Sequence, residues 1–529
     1  MSEGAVDLFL AAAQCDIWTE QPCGARTVCA KCRVRVVDGS APVTSADERL
    51  LSAADVADGW RLGCQLTLSE SVTLEIPPQT RSTAAKSFGD DALFADGIVP
   101  NEDVREVAGA DLGVSVDIGS TSLAAALVNL ATGQVMATTS RVNPQVRFGP
   151  DVISRIHFAQ EHAEGNGQLH DAVTDAIGAM INDLAAQRGV SADRIAAIAC
   201  AGNATMTHAA VGEDITSLGQ APYVGLFTEE RRIPARDLGW PAHARGTAWF
   251  LPMVGHHVGG DTVAAVLACG MDRADEWQLL IDLGTNTEVV LGCRRALIAT
   301  STAAGPAFEG ANIAHGMRAA PGAIDRVRVL ANGRLVAGTV ANQPARGICG
   351  SGLIDAVAEL HRAGVIVASG YMRDRAECAA AGVAPKLCER VDDVPSVSRA
   401  VRLDAAVTLT AQDVRELQLV KGSIAAGIDL VMRHAGVSIE ALGAVHIAGM
   451  FGSFVRKSSA QAIGLVPAVD PERVHFVGNA AGVGARMVLV DARSRRRAAL
   501  IAETCEYLEL AGHADYEDAF CAAIPLGER

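Results

Sequence analysis

Apolar positions recur with two different periods along this chain, and the changes of period divide it. Near the start, DLFLAAAQC (7–15) has the close-set apolar residues of a helix, and Cys15 reads as one of its packed positions. Val34 and Val36 then alternate with charged neighbours as a half-buried strand, and a helix begins near Ser45. From about 77 to 109 the chain is polar without sustained periodicity, which predicts a linker that orders on docking. Alternation returns at Val114, Val116 and Ile118. Gly119 permits a sharp turn, and SLAAALVNL runs back as a second strand. The same grammar recurs in QLLIDLGTNTEVVLG, where a strand ends at Asp282, turns at Gly284 through Thr285-Asn286-Thr287, and returns. GAVHIAGMFGSF is a buried strand over 445–448 that runs into a glycine turn at Gly449 and Gly452. TAQDVRELQLVKGSIAAGIDLVMRHAG is a long helix. Thr410 caps it with Asp413, Val414, Leu417, Ile424, Ile428 and Val431 form one face, and Gly436 ends it. Glu416 and Lys421 on that helix read as solvated surface.

The glycine turns carry the first candidate chemistry. Glycine lets backbone N–H groups approach phosphate oxygens, and Ser or Thr hydroxyls add donors. This makes Gly119, Ser120 and Thr121, and again Gly284, Thr285 and Asn286, candidate phosphate contacts. Asp117 and Asp282 at the strand ends can hold Mg2+ through water or orient an attacking water. GICGSGLIDAVAEL sets Gly350 and Gly352 before an apolar helix, and HFVGNAAGVGA repeats that arrangement at Gly478 and Asn479. Any one of these turns could be structural; the paired hairpins with a late strand–glycine turn are far more specific.

The second candidate chemistry is a group of thiols. CGARTVCAKC places Cys23, Cys29 and Cys32 within ten residues, with a fourth thiol at Cys64 on a later strand. Three ligands from a tight loop and one from a distant strand is how plant-type ferredoxins hold a [2Fe–2S] cluster, and the extra loop residue resembles the adrenodoxin-like branch. A four-thiolate zinc site and plain buried thiols are the alternatives, although structural zinc usually takes two C-x2-C pairs and Cys64 has no such companion.

Bulk properties narrow the class of function. The chain has 529 residues, enough for three or four domains, with 49% hydrophobic and 20% charged residues. No apolar run is long enough for a membrane span, and the N-terminus lacks the basic region of a secretory signal. A net charge of −16 and only 4% aromatics argue against nucleic-acid or anionic-membrane partners. Thirteen cysteines, mostly isolated in apolar surroundings, suit a reducing cytoplasm better than a disulfide framework.

The two hairpins and the late strand–turn resemble the phosphate-1, phosphate-2 and adenosine motifs of the actin, sugar-kinase and heat-shock-chaperone superfamily. Further phrases are similar to those of the reductive activators of corrinoid proteins: NPQVRFGPDVISRI, AGNATMTHAAVG, VGGDTVAAVLACGM, STAAGPAFEGANI, HGMRAAPGAID and QDVRELQLVKGSI. That resemblance implies a multi-domain α/β chain. A small α+β ferredoxin-like (β-grasp) domain over 1–80, without its usual opening hairpin, precedes a linker over 81–110. A duplicated actin-like ATPase fold follows, with halves over 111–270 and 271–529. It further implies a [2Fe–2S] cluster on Cys23, Cys29, Cys32 and Cys64, ATP with Mg2+ in the cleft, and an external electron donor. The implied partner is a corrinoid protein of a methyltransferase system whose Co(II) is returned to Co(I); a homodimer is the implied assembly. Three rival readings remain on the sequence: a sugar-like small-molecule kinase with a redox-sensing domain, a non-catalytic ferredoxin-like carrier, and an activator of the dehydratase type, which holds one cluster between two subunits and does not need an N-terminal four-cysteine domain.

Overall fold

The computed structural model describes residues 6–8, 32–68, 70–76, 94, 97–105, 107, 109–149, 151–221, 223–284, 286–310, 312–394, 398–449 and 455–528. Cys15, Cys23, Cys29, Thr285 and Gly452 lie outside these residues.

The small N-terminal part has a three-stranded antiparallel sheet in the order Trp60–Leu62, Arg33–Asp38, Thr73–Glu75. Its core is Leu8, Cys32, Val34, Ala46, Leu51, Leu62, Leu66 and Ile76. The helix Ser45–Leu50 starts where expected, with Thr44 and Asp47 forming a reciprocal capping box. One expectation is corrected: Val6–Asp7 is a strand paired with Thr67–Leu68, so the helix does not begin at Asp7. Two residues of strand are too short to show alternation in a sequence. The remainder of that expected helix lies outside the described residues.

The larger part repeats one architectural unit. In the first copy, β1 (Leu112–Ile118), β2 (Ser122–Asn129) and β3 (Val135–Val142) form an antiparallel meander. β4 (Ile195–Gly202) and β5 (Thr247–Phe250) extend it in parallel on the other side of β1. In the second copy, β6 (Trp277–Asp282), β7 (Thr287–Cys293) and β8 (Ala296–Thr302) form the meander. β9 (Leu442–Ala448) and β10 (Val474–Gly478) are its parallel extension. Strand order and direction match over these five strands; the sixth strands differ, Arg231–Pro234 lying antiparallel to β5 in the first sheet and Glu506–Tyr507 parallel to β8 in the second.

Burial explains the composition of these strands. One face of the first sheet packs against α1 (Gly165–Arg188), where Val114 and Val116 join a core with Ile177 and Ile181. Between the two sheets lie α2 (Gly260–Cys269) and α5 (Ala480–Val490), sharing a core with Ala197 and Ala199 of one sheet and Leu280 and Val290 of the other. Strands covered on both faces lose the polar alternation of an exposed sheet, so β1 is buried at nearly every position. In the second copy, α3 (Gly350–Arg362) packs on the strand Ala323–Val329, and α4 (Ala411–Ala435) covers the outer face of the sheet. α6 (Ala492–Thr504) follows α5 directly.

α4 has the expected Thr410–Asp413 capping box and ends in left-handed Gly436. Its Lys421, expected at the surface, is fully buried and donates to the carbonyls of Ala523 and Pro525. The C-terminal tail folds over that helix face and supplies the acceptors a buried ammonium requires. Among the described residues no helix is long and apolar enough to cross a membrane.

Candidate active site

β1 and β6 deliver Asp117 and Asp282 to a single cleft of about 560 Å3. Gly119, Ser120 and Thr121 line it from the first copy; Gly284, Asn286, Gly350, Gly449 and Asn479 line it from the second. Gly449 has φ +93, and a side chain there would meet the Leu283 carbonyl at 2.4 Å, so the turn after β9 requires glycine. Two expected residues do not line the cleft. Gly352 lies within the first turn of α3, which starts at Gly350 with Cys349 as its cap, and it faces the Ile324 carbonyl. Gly478 closes β10, and its carbonyl accepts from the Gly449 N–H at 3.0 Å.

Two carboxyls absent from the sequence expectations complete the floor: Asp261, in the first turn of α2, and Glu288, in β7. Burial pushes Asp117 up to about 8, with Asp261 and Asp282 adding to the effect. It pushes Asp282 up to about 7, again with Asp261 adding, and Asp261 up to about 6. Glu288 is raised well above its ordinary value by burial and by the same two aspartates. Four carboxyls in one desolvated place cannot all ionise alone, and among the described residues no group of three or more His, Cys, Asp or Glu side chains is placed to hold a metal ion directly.

The turn after β1 is held from behind. Asn143 Nδ2 donates to the Gly119 carbonyl at 2.9 Å, and the buried Arg155 donates to that of Ser120. Asn203 Nδ2 donates to Ser120 Oγ at 3.0 Å. These three come from the phrases NPQVRFGPDVISRI and AGNATMTHAAVG, where the sequence marked the phrases but not the roles. Across the cleft, Thr121 Oγ1 donates to Glu309 Oε2 at 3.1 Å, linking the two copies. The Asn479 side chain lines the cleft with Asp117, whose rise it opposes, and accepts from the Gly482 N–H at 2.6 Å as the cap of α5.

At the thiols, Arg33 pairs with Leu62, and the Gly63 N–H donates to the Cys32 carbonyl at 2.8 Å. The backbones of Cys32 and Cys64 therefore stand on neighbouring segments, with Cys32 buried in the small core. Cys64 occupies a single 3-10 turn, Gly63–Gln65, directly after the strand on which it was expected. This approach of two chain segments fits a ligand set drawn from a loop and a remote turn.

Fold and cleft define a two-lobed nucleotide-binding protein of the actin and sugar-kinase kind, preceded by a small ferredoxin-like domain. Residues 3–69 match the 2Fe-2S iron-sulfur cluster binding domain, residues 112–274 the RACo middle region, and residues 276–528 the C-terminal domain of RACo, the ASKHA domain. The corrinoid activation enzyme RamQ of Eubacterium limosum is 31% identical over 426 residues, covering 79% of this chain and 70% of the relative. The [Co(II) methylated amine-specific corrinoid protein] reductase of Methanosarcina barkeri is 24% identical over 411 residues, covering 72% and 70%. The solved structure of a reductive activator for corrinoid,iron-sulfur protein superposes with a TM-score of 0.72 at 30% identity, covering 100% of this chain and 96% of that one. The chain belongs to the family of reductive activators of corrinoid proteins.

Proposed function

We propose that this protein is an ATP-dependent reductive activator that delivers one electron to a corrinoid protein, returning inactive Co(II) to Co(I) in a cobalamin-dependent methyltransferase system. One observation carries this reading. A single chain joins a domain of the 2Fe–2S-binding family to a cleft with two equivalent strand–turn–strand walls and a floor of four carboxyls.

Cys23, Cys29, Cys32 and Cys64 would hold the cluster, which when bound supplies one-electron chemistry. Asp117 and Asp282, with Asp261 and Glu288, would hold Mg2+ through water. Ser120, Thr121, Thr285 and Asn286 would take the phosphates together with the first turns of α3 and α5, and the turn at Gly449 and Gly452 the adenosine. ATP closes the lobes and changes how the activator grips its client; differential binding of two client states makes an unfavourable reduction feasible. The corrinoid belongs to the client, and the electron comes from an external donor. The acidic surface suits a protein partner and a cytoplasmic setting without nucleic acid or membrane, and the assembly is a homodimer. Its divisions would be 1–80, 81–110, 111–270 and 271–529.

The test is anaerobic. Purified protein, ATP, a reductant and candidate Co(II) corrinoid proteins are mixed, and the Co(I) absorption band is followed. Co(I) should form only with ATP present, and Cys29→Ser should abolish it while nucleotide still binds. ATP turnover stimulated by sugars and indifferent to corrinoid proteins would establish a kinase instead.

A further inference from the structure

Helix α5 touches the cleft at one end and the linker to the iron–sulfur domain at the other. At its start, Asn479, Ala480 and Ala481 line the cleft beside Asp117. At its middle, a side chain on Gly484 would meet the Ala264 carbonyl at 2.0 Å, so α5 lies hard against α2, whose first turn carries Asp261. Its eleven residues form a rod of about 16 Å.

The far end is where the linker docks. The last carbonyls of a helix have no partner within it. Here Asn101, only 3% exposed, gives both hydrogens of its amide to two of them, Val488 and Leu489, each at 3.0 Å. Next to it, the Val99 N–H donates to Asp491 Oδ1 at 2.9 Å, and the Val99 carbonyl accepts from the Ala492 N–H at 2.7 Å. Arg493 donates to the Gly97 carbonyl at 2.6 Å. A passive tether needs none of these. The segment 97–101 lies on the covalent route to the small domain, and it is clamped onto the end of α5 and the start of α6, while the other end of α5 lines the cleft.

We propose that α5 carries the state of the nucleotide cleft to the iron–sulfur domain, with Asn101 as the positioning residue at its far end. This rests on the nucleotide reading above. Lobe closure on ATP acts on α5 through Asn479 and through its packing on α2. Because α5 is rigid and its far end is bonded to 97–101, the small domain is re-aimed when the cleft fills.

Hydrogen exchange on the full-length, cluster-containing protein, with and without a non-hydrolysable ATP analogue, tests this. The analogue should slow exchange at 117–122 and 479–484 and also change it at 97–101. Asn101→Ala should keep the first effect and lose the second. It should slow Co(I) formation at saturating ATP by about fivefold or more while leaving KM for ATP within about twofold. Arg493→Ala alters a half-exposed side chain and should give a smaller version of the same split, so a folding failure of Asn101→Ala does not remove the test. Protection in the cleft with no change at 97–101 overturns the proposal, as does an Asn101→Ala variant that loses ATP affinity and rate in equal measure. No protection in the cleft at all would refute the nucleotide reading and this inference with it.

Discussion

Asp117, Asp261, Asp282 and Glu288 are held where water is scarce, and Asp261 raises the other three. The consequence for stability has a definite sign. Below the ordinary carboxyl range the four are protonated in the folded and unfolded chain alike, and nothing is lost. As pH rises from about 4, the unfolded chain ionises while the empty cleft resists, so stability of the nucleotide-free protein falls until the cleft carboxyls themselves ionise at about 6, 7 and 8. Asp282→Asn removes one member of the set. It should raise the melting midpoint of the empty protein at pH 8, by about 1 °C for each kcal/mol relieved, and abolish ATP-dependent Co(I) formation. Calorimetric scans at pH 6 and pH 8 check it; a midpoint that drops at both would sink the electrostatic account. A second outcome follows from the same groups. Mg2+ with nucleotide must displace protons from this floor, so its affinity should weaken as pH falls from 8 to 6. Titration calorimetry in buffers of different ionisation enthalpy should show net proton release at pH 7.

At the scale of elements, the small domain offers a clean prediction. Asp47 is 1% exposed and accepts from the Leu62 N–H at 2.6 Å, which ties the helix Ser45–Leu50 to the strand leading into Cys64. Asp47→Ala leaves that buried N–H without a partner, at about 1–3 kcal/mol, and loosens the turn bearing Cys64. The purified variant should lose visible absorbance per chain faster than wild type, while binding nucleotide normally. How far such elements could be read from sequence depended on how local they are. The hairpins β1–β2 and β6–β7 were legible because alternation, glycine turn and returning strand all lie within one short window. Asp261 was not, because an acidic residue in the first turn of a helix is what any helix favours, and only the packing of α2 between the sheets gives it another role. Asn143 and Asn203 act on residues 24 and 83 positions away, and no periodicity records such a pairing. Lys421 misled for the same reason: its acceptors arrive 102 and 104 residues later.

At the scale of the whole molecule the question is how one electron travels uphill. A plant-type donor lies near about −400 mV, and each further 100 mV needed at the client is about 2.3 kcal/mol. On the proposed function, the two-lobed part would meet that demand by binding the client differently before and after the cleft closes. Binding alone shifts an equilibrium once; it cannot reset the lobes, because the closed state that favours reduction also retains its ligand. On the proposed function, hydrolysis would supply the reset. A non-hydrolysable analogue should therefore support about one Co(I) per activator and then stop, since a ligand moves a two-state equilibrium only by its differential affinity. ATP should support many turnovers at the same activator concentration. Anaerobic stopped-flow absorbance with the client in tenfold excess would separate the two, by burst amplitude with the analogue and by steady rate with ATP. Equal multiple turnover with either nucleotide would mean that the lobes reset without hydrolysis, and that the free energy enters at the external donor instead of at the cleft.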